Sequence, residues 1–118
     1  PHNHTPDSVV YVGNHDTNTA RGWMEEEASP SDKQRLFQYL GREISSDHVA
    51  CELSRLALMS VAEAAIVPMQ DILNLPGTSR MNRPGGMGAN WQWRMHREDL
   101  EPCRFSWLKE MTATYGRA

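Results

Sequence analysis

The sequence predicts an α/β chain of two β/α units, too few to complete a parallel sheet on their own. Three observations predict it. Two short apolar runs, Val9–Val12 and Ala64–Met69, each lead into a polar or glycine-bearing segment. Stretches with apolar residues at helical spacing lie between and after them. The length, 118 residues, is under half of the about 250 that eight such units use to close a barrel. Two parallel strands alone would leave bare edges, so the pattern reads as a portion of a larger sheet.

Taken in order, residues 1–8 combine Pro1 and Pro6 with turn formers and two histidines, and read as a loop. Val9-Val10-Tyr11-Val12 is β-branched and apolar and stops at Gly13, as a buried strand of a parallel sheet does. Residues 14–23 are polar, contain Gly22 and read as the loop at that strand's carboxyl end. A helix should start at Ser29-Pro30, a capping residue before proline at the first helical position. Leu36, Phe37 and Leu40 share its apolar face, and Gly41 is its stop. A second helix is expected over about 47–62, capped by Ser45 or Ser46, with Val49, Leu53, Leu56, Ala57 and Ser60 in one stripe. Ala64–Met69 is the second buried strand, with Pro68 tolerable only at its end. Residues 70–95 form a long loop carrying Pro76-Gly77 and Pro84-Gly85-Gly86, a length uncommon unless the loop has work to do. From Pro102 a closing amphipathic helix places Phe105, Leu108, Thr112 and Tyr115 on one face.

Composition narrows the function classes. Hydrophobic residues are 39% and charged residues 23%, which excludes a disordered chain. The apolar runs fall far short of the roughly 20 residues of a membrane span. A net charge of -3 with no Lys/Arg cluster argues against nucleic acid. The run Glu25-Glu26-Glu27 reads as a solvated face. Cys51 and Cys103 form no C-x-x-C pair, and read as reduced thiols on helices of a cytoplasmic protein. The first residue is Pro1 and no signal-like segment follows, so the natural N-terminus is expected elsewhere.

Two constellations carry chemistry. One is Gly13-Asn14-His15-Asp16 directly after a strand, and the other is Arg80-Met81-Asn82-Arg83-Pro84-Gly85 followed by Asn90-Trp91-Gln92-Trp93-Arg94. The first turn resembles one block of two-metal phosphoesterases. That chemistry also needs a downstream Gly-His-x-His, and His48 and His96 stand alone. No metal is therefore expected. The second reading is a sugar site: a carboxylate accepts from adjacent ring hydroxyls and a histidine donates to another. Such charged hydrogen bonds contribute about 1.5–3 kcal/mol each, and help catalysis as far as they strengthen in the transition state.

The blocks Val9–Thr19 with Gly22-Trp23, Ser60-Val61-Ala62 with Pro68–Leu73, and Arg80–Asn82 with Pro84-Gly85 and Gly88–Arg94 resemble the amylomaltase family in order and spacing. These are the 4-α-glucanotransferases (disproportionating enzymes) of the α-amylase superfamily. The resemblance covers nearly the whole chain. It implies a (β/α)8 TIM barrel of which residues 1–118 form one segment, the C-terminal portion with the last two β/α units. It implies a retaining double displacement without cofactor, with the nucleophilic Asp and the acid/base Glu upstream of this chain. Asp16 matches the third carboxylate, which stabilises the transition state, and His15 matches its sugar-binding neighbour. Asn82 matches a substrate-contacting asparagine. Many members carry an acidic residue where this chain has Asn18, which touches details of the acceptor side.

The remaining assignments stay open between two roles. Arg80 and Arg94 either meet substrate or brace the loop. Trp91 and Trp93 either stack on sugar rings or pack. Gln70-Asp71 either reaches substrate or orients the loop through backbone hydrogen bonds. The implied partners are α-1,4-glucans and the preceding part of the barrel, with no nucleic acid and no membrane. The competing class is a stand-alone glucan-binding module resting on His15, Trp91 and Trp93.

Overall fold

The computed structural model describes residues 1–117. Its two strands, β1 (Val9–Tyr11) and β2 (Ala64–Ile66), pair in parallel with Val10 opposite Ala65. The ladder extends at both ends, where Glu63 N–H donates to the Ser8 carbonyl and Val12 N–H to the Ile66 carbonyl. The strands are shorter than expected, and they are not buried. Val9, Tyr11 and Ile66 are 51%, 59% and 44% exposed, and their register places them on one face. Among the described residues little covers that face, which is why β-branched, apolar strands stay open to solvent.

Short α1 (Ala20–Gly22) runs directly into a π-helical turn, Trp23–Glu27, closed by the Ala28 N–H on the Trp23 carbonyl at 2.8 Å. Residues 20–23 were expected to be loop. Thr19 explains the difference, because its hydroxyl accepts from Gly22 N–H at 3.0 Å and starts a helix. Helix α2 (Pro30–Leu40) opens on a full capping box, Ser29 with Asp32, and ends at Gly41 with φ 73°. Helix α3 (Ser46–Leu58) is shorter at its C-terminus than expected, and Ser45 holds the cap position. There the Ser45 hydroxyl meets His48 Nδ1 at 3.0 Å instead of a backbone amide.

The core is small: Ala20, Met24, Val49 and Ala50 are buried, with Trp23, Leu36, Phe37, Ile44 and Leu53 packed on it. It lies between α1, α2 and α3, on the side of the sheet away from the bare face. Glu52 is buried on α3 and is held by Arg42 and Arg55.

The segment after β2 is not featureless. Short α4 (Met69–Ile72) starts after Pro68, and a 3-10 turn covers Gly77–Ser79. Two further 3-10 turns, Arg97–Leu100 and Pro102–Phe105, precede α5 (Ser106–Thr114). Cys103 therefore sits in a 3-10 turn, while Cys51 lies on α3; both are free thiols. Phe105, Leu108, Thr112 and Tyr115 are each half-buried, as the amphipathic pattern requires. Arg117 then donates to the carbonyls of Leu58, Ser60 and Ala62 at 2.6–2.7 Å, tying the end of the chain to the turn between α3 and β2.

Candidate functional site

Both motifs come together at the carboxyl ends of the two parallel strands. The segment after β1 is held by its own side chains. Asn14 Oδ1 accepts from Asp16 N–H at 2.8 Å, and Thr17 Oγ1 accepts from Asn14 N–H at 2.9 Å. This tight turn leaves His15 and Asp16 projecting, with side chains 56% and 47% exposed. His15 Nε2 lies 3.4 Å from Asp16 Oδ2.

The long loop returns to meet that turn. Asn82 Nδ2 donates to Asp16 Oδ1 at 2.6 Å, although the two residues are 66 positions apart. Arg80 donates from Nη2 to the Asp16 carbonyl at 2.6 Å, from Nε to the Asn82 carbonyl at 2.7 Å and from Nη1 to Glu27 at 3.0 Å. These contacts tie Arg80 to the loop and to the backbone of Asp16. Arg94 also braces, donating to the carbonyls of Trp91 and Trp93. Asn90 pins the loop tip by accepting from Arg83 N–H and donating to the Gly86 carbonyl.

Trp91 stands over His15 with ring centroids 5.2 Å apart. Its backbone has φ 64°, in the left-handed region that a bulky residue rarely enters. Such strain costs on the order of 1–3 kcal/mol. A hydrogen bond from Trp91 N–H to the Met81 carbonyl at 2.7 Å helps hold it. The indole is 53% exposed, so it remains available at the mouth of the site. Trp93 is half-buried and lies away from this cluster, beside Leu75 and His96.

Beneath these groups lies a cavity of about 330 Å³ lined by Tyr11, His15, Gln70, Asp71, Arg80 and Trp91, among others. Asp16 stands at its border and faces an adjoining cleft with Asn18, Glu27 and Arg80. Asp71 is 2% exposed and accepts from Ala20 N–H at 2.7 Å, while Gln70 Nε2 reaches the Ser79 carbonyl at 3.4 Å. These bonds orient the surrounding loops, and both residues also line the cavity. Among the described residues no three His, Cys, Asp or Glu side chains gather as a metal site would require. No helix of the described residues is long and apolar enough to cross a membrane.

Burial pushes the Asp71 carboxyl up to about 6, against the opposing donation from Ala20 N–H. The folded state thus disfavours the charged form. The contribution of this group to stability is complete below about pH 4 and is lost as pH rises through about 6. Asp71→Asn keeps an acceptor for Ala20 and removes the titration. In equilibrium urea unfolding, the variant should gain on the parent by roughly 3 kcal/mol between pH 4 and pH 7. A constant difference across that range would show that Asp71 does not titrate there.

Sequence reasoning missed Glu27 and the buried side of Asn18. Asn18 Nδ2 donates to Glu27 Oε1 at 2.9 Å and Asn18 Oδ1 accepts from Thr19 N–H, so a residue marked only as a departure is a structural joint. The run Glu25–Glu27 is exposed, as a solvated face should be, yet Glu27 is engaged by two donors of the site.

With this geometry in place, similarity to known proteins is informative. A family model described as 4-alpha-glucanotransferase matches residues 1–100. The chain is 44% identical to a 4-alpha-glucanotransferase of Aquifex aeolicus, over 99% of this chain and 24% of that protein. It is 39% identical to a chloroplastic/amyloplastic 4-alpha-glucanotransferase of Solanum tuberosum, over 99% of this chain and 20% of that protein. It superposes on an amylomaltase from Streptococcus agalactiae, solved in complex with acarbose, with TM-score 0.90 and 37% identity, covering 100% of this chain and 23% of that one. The chain therefore spans between a fifth and a quarter of the length of these relatives. Matching on sequence over most of its length and on fold over all of it, the chain belongs to the 4-alpha-glucanotransferase family, glycosyl hydrolase family 77.

Proposed function

We propose that the protein carrying this chain moves α-1,4-glucan segments between glucan chains by a retaining double displacement. In this reading the chain supplies the last two β/α units of a (β/α)8 barrel. The preceding part of the protein covers the bare sheet face of Val9, Tyr11 and Ile66, and provides the nucleophile and the acid/base. The observation that carries the reading is the bond from Asn82 Nδ2 to Asp16 Oδ1 at 2.6 Å. It joins the two motifs of the chain at the end of a parallel sheet where barrels place catalytic groups. The acarbose bound to the Streptococcus agalactiae relative supports an α-glucan as the ligand class.

The roles proposed for the residues are these. Asp16 accepts from two ring hydroxyls of the distorted sugar, and His15 donates to a third group beside them. Asn82 holds one Asp16 oxygen in place, which leaves the carboxylate's remaining lone pairs for substrate. Trp91 offers an indole face for a sugar ring. Arg80 supports Asp16 and Asn82 from behind. No metal or cofactor takes part. The two free cysteines suit a reducing compartment, and we place the protein in the cytoplasm.

The test is disproportionation of maltotriose into glucose and longer oligosaccharides. The full-length protein should carry it out. The 118-residue chain alone should not, because retention needs two carboxyl groups about 5–5.5 Å apart across the scissile bond and Asp16 is neither of them. Sustained glucose release by the pure chain would sink this division of labour.

A further inference from the structure

We propose that Glu27 is a positioning residue for Asp16, acting through the Arg80 guanidinium; this rests on the glucanotransferase reading of Asp16. The three groups form one connected path. Glu27 Oε1 accepts from Arg80 Nη1 at 3.0 Å and from Asn18 Nδ2 at 2.9 Å. The other guanidinium nitrogens of Arg80 hold the carbonyls of Asp16 and Asn82. Asn82 in turn fixes the Asp16 carboxylate. Arg80 thus bridges the loops after both strands, and among the described residues Glu27 is the one carboxylate on its planar fork. Its side chain is 14% exposed while that of Glu27 is 46% exposed.

The backbone at Glu27 points the same way. Trp23–Glu27 is a π-helical turn, a conformation rare in proteins and frequent at functional sites. Across it, the carboxylates of both Glu26 and Glu27 come within reach of Asn18 Nδ2, at 3.5 and 2.9 Å. Exposed ion pairs contribute little to stability, so the device has little effect on folding and a large one on where Arg80 sits. A loosened Arg80 would free the Asp16 and Asn82 carbonyls together, and small misplacements of a catalytic carboxylate cost rate steeply.

The experiment is Glu27→Gln in the full-length protein, with maltotriose as substrate. The expected result is a fall in kcat of about ten- to a hundredfold with KM changed by less than about threefold. In an Asp16→Asn background the same change should have almost no further effect, because the groups act as one unit. Glu25→Gln is the control: Glu25 bonds Arg21 on the far side of the turn, and its loss should leave kcat at the parent value. A parent-like kcat in Glu27→Gln, or full multiplication of its effect with that of Asp16→Asn, overturns the inference. If Asp16→Asn itself keeps parent activity, the functional reading fails and this inference fails with it. Should Glu27→Gln not fold, Arg80→Lys tests the next link, since an ammonium cannot span three acceptors as a planar fork does. The same loss of kcat is then expected, and unchanged kcat overturns the path.

Discussion

Replacing Asp16 by Asn in the full-length protein should lower kcat by about 10²–10⁴-fold while the protein stays folded. Asp16 projects from a turn closed by Asn14 and Thr17; its Oδ1 accepts from Asn82, and its Oδ2 lies 3.4 Å from His15 Nε2. Asparagine keeps that acceptor, so the tie to the long loop survives. What disappears is the negative charge offered to the sugar hydroxyls, and the second oxygen becomes a donor facing His15. Charge-assisted bonds are roughly twice as strong as neutral ones. They matter most when positive charge develops on the ring, so the loss falls on the transition state. The fall in kcat should exceed any weakening of substrate binding. Stability should change by less than about 0.5 kcal/mol, as at exposed polar sites generally. Steady-state kinetics on maltotriose beside a thermal melt checks both halves. A kcat within a few-fold of the parent in a folded protein would make the His15-Asp16 turn a loop brace only.

The largest loss of stability is expected at Gly22. Its backbone is ordinary right-handed helix, φ -61° and ψ -38°, where alanine would normally stabilise by about 1 kcal/mol. Here the sign should reverse. A Cβ at Gly22 would lie 2.6 Å from the Cα of Gly77 and closer still to Asn18 Oδ1. Gly77 is buried and opens the 3-10 turn Gly77–Ser79, so its Cα can move only with that turn. The obstacle is backbone against backbone, so helix α1 and the Gly77–Ser79 turn must separate. Overpacking of this kind costs about 1–3 kcal/mol, and the upper end applies where no flexible side chain can move aside. Gly22→Ala should therefore lose about 3 kcal/mol in equilibrium unfolding. It should also reduce activity, since Asn18 is displaced from Glu27 and the support of Arg80 goes with it. A melting temperature at or above the parent value would refute the close-approach argument.

Much of the fold is legible because its signals are local. Ser29-Pro30 with Asp32 announces the start of α2 through bonds three residues apart, and Gly41 announces its end through a backbone angle that only glycine adopts cheaply. The two β-branched runs announce strands, and Phe105, Leu108, Thr112 and Tyr115 trace a single face. Thr19 is a comparable cap for α1, but its signal is faint because the residues around it are polar and only three helical residues precede the π-helical turn.

The amino-acid sequence by itself determined the order of the two strands, α2, α3 and the closing helix, the parallel α/β class, the family resemblance and the choice of His15, Asp16, Arg80, Asn82 and Trp91 as candidate site residues. The elements depend on residue type and on neighbours within about one helical turn, and the resemblance on the order and spacing of motifs along the chain. Only the tertiary structure decided what those residues do to one another. Arg80 was open between substrate contact and bracing, and its three acceptors come from positions 16, 27 and 82. Glu27 looked like one of three solvated acids until the π-helical turn aimed it at Arg80 and Asn18. Asp71 lies 51 residues from the amide it accepts, and its burial is a property of the packed loops, not of its sequence neighbours. Hydrogen-bond geometry and desolvation act through space, across separations that no local pattern encodes.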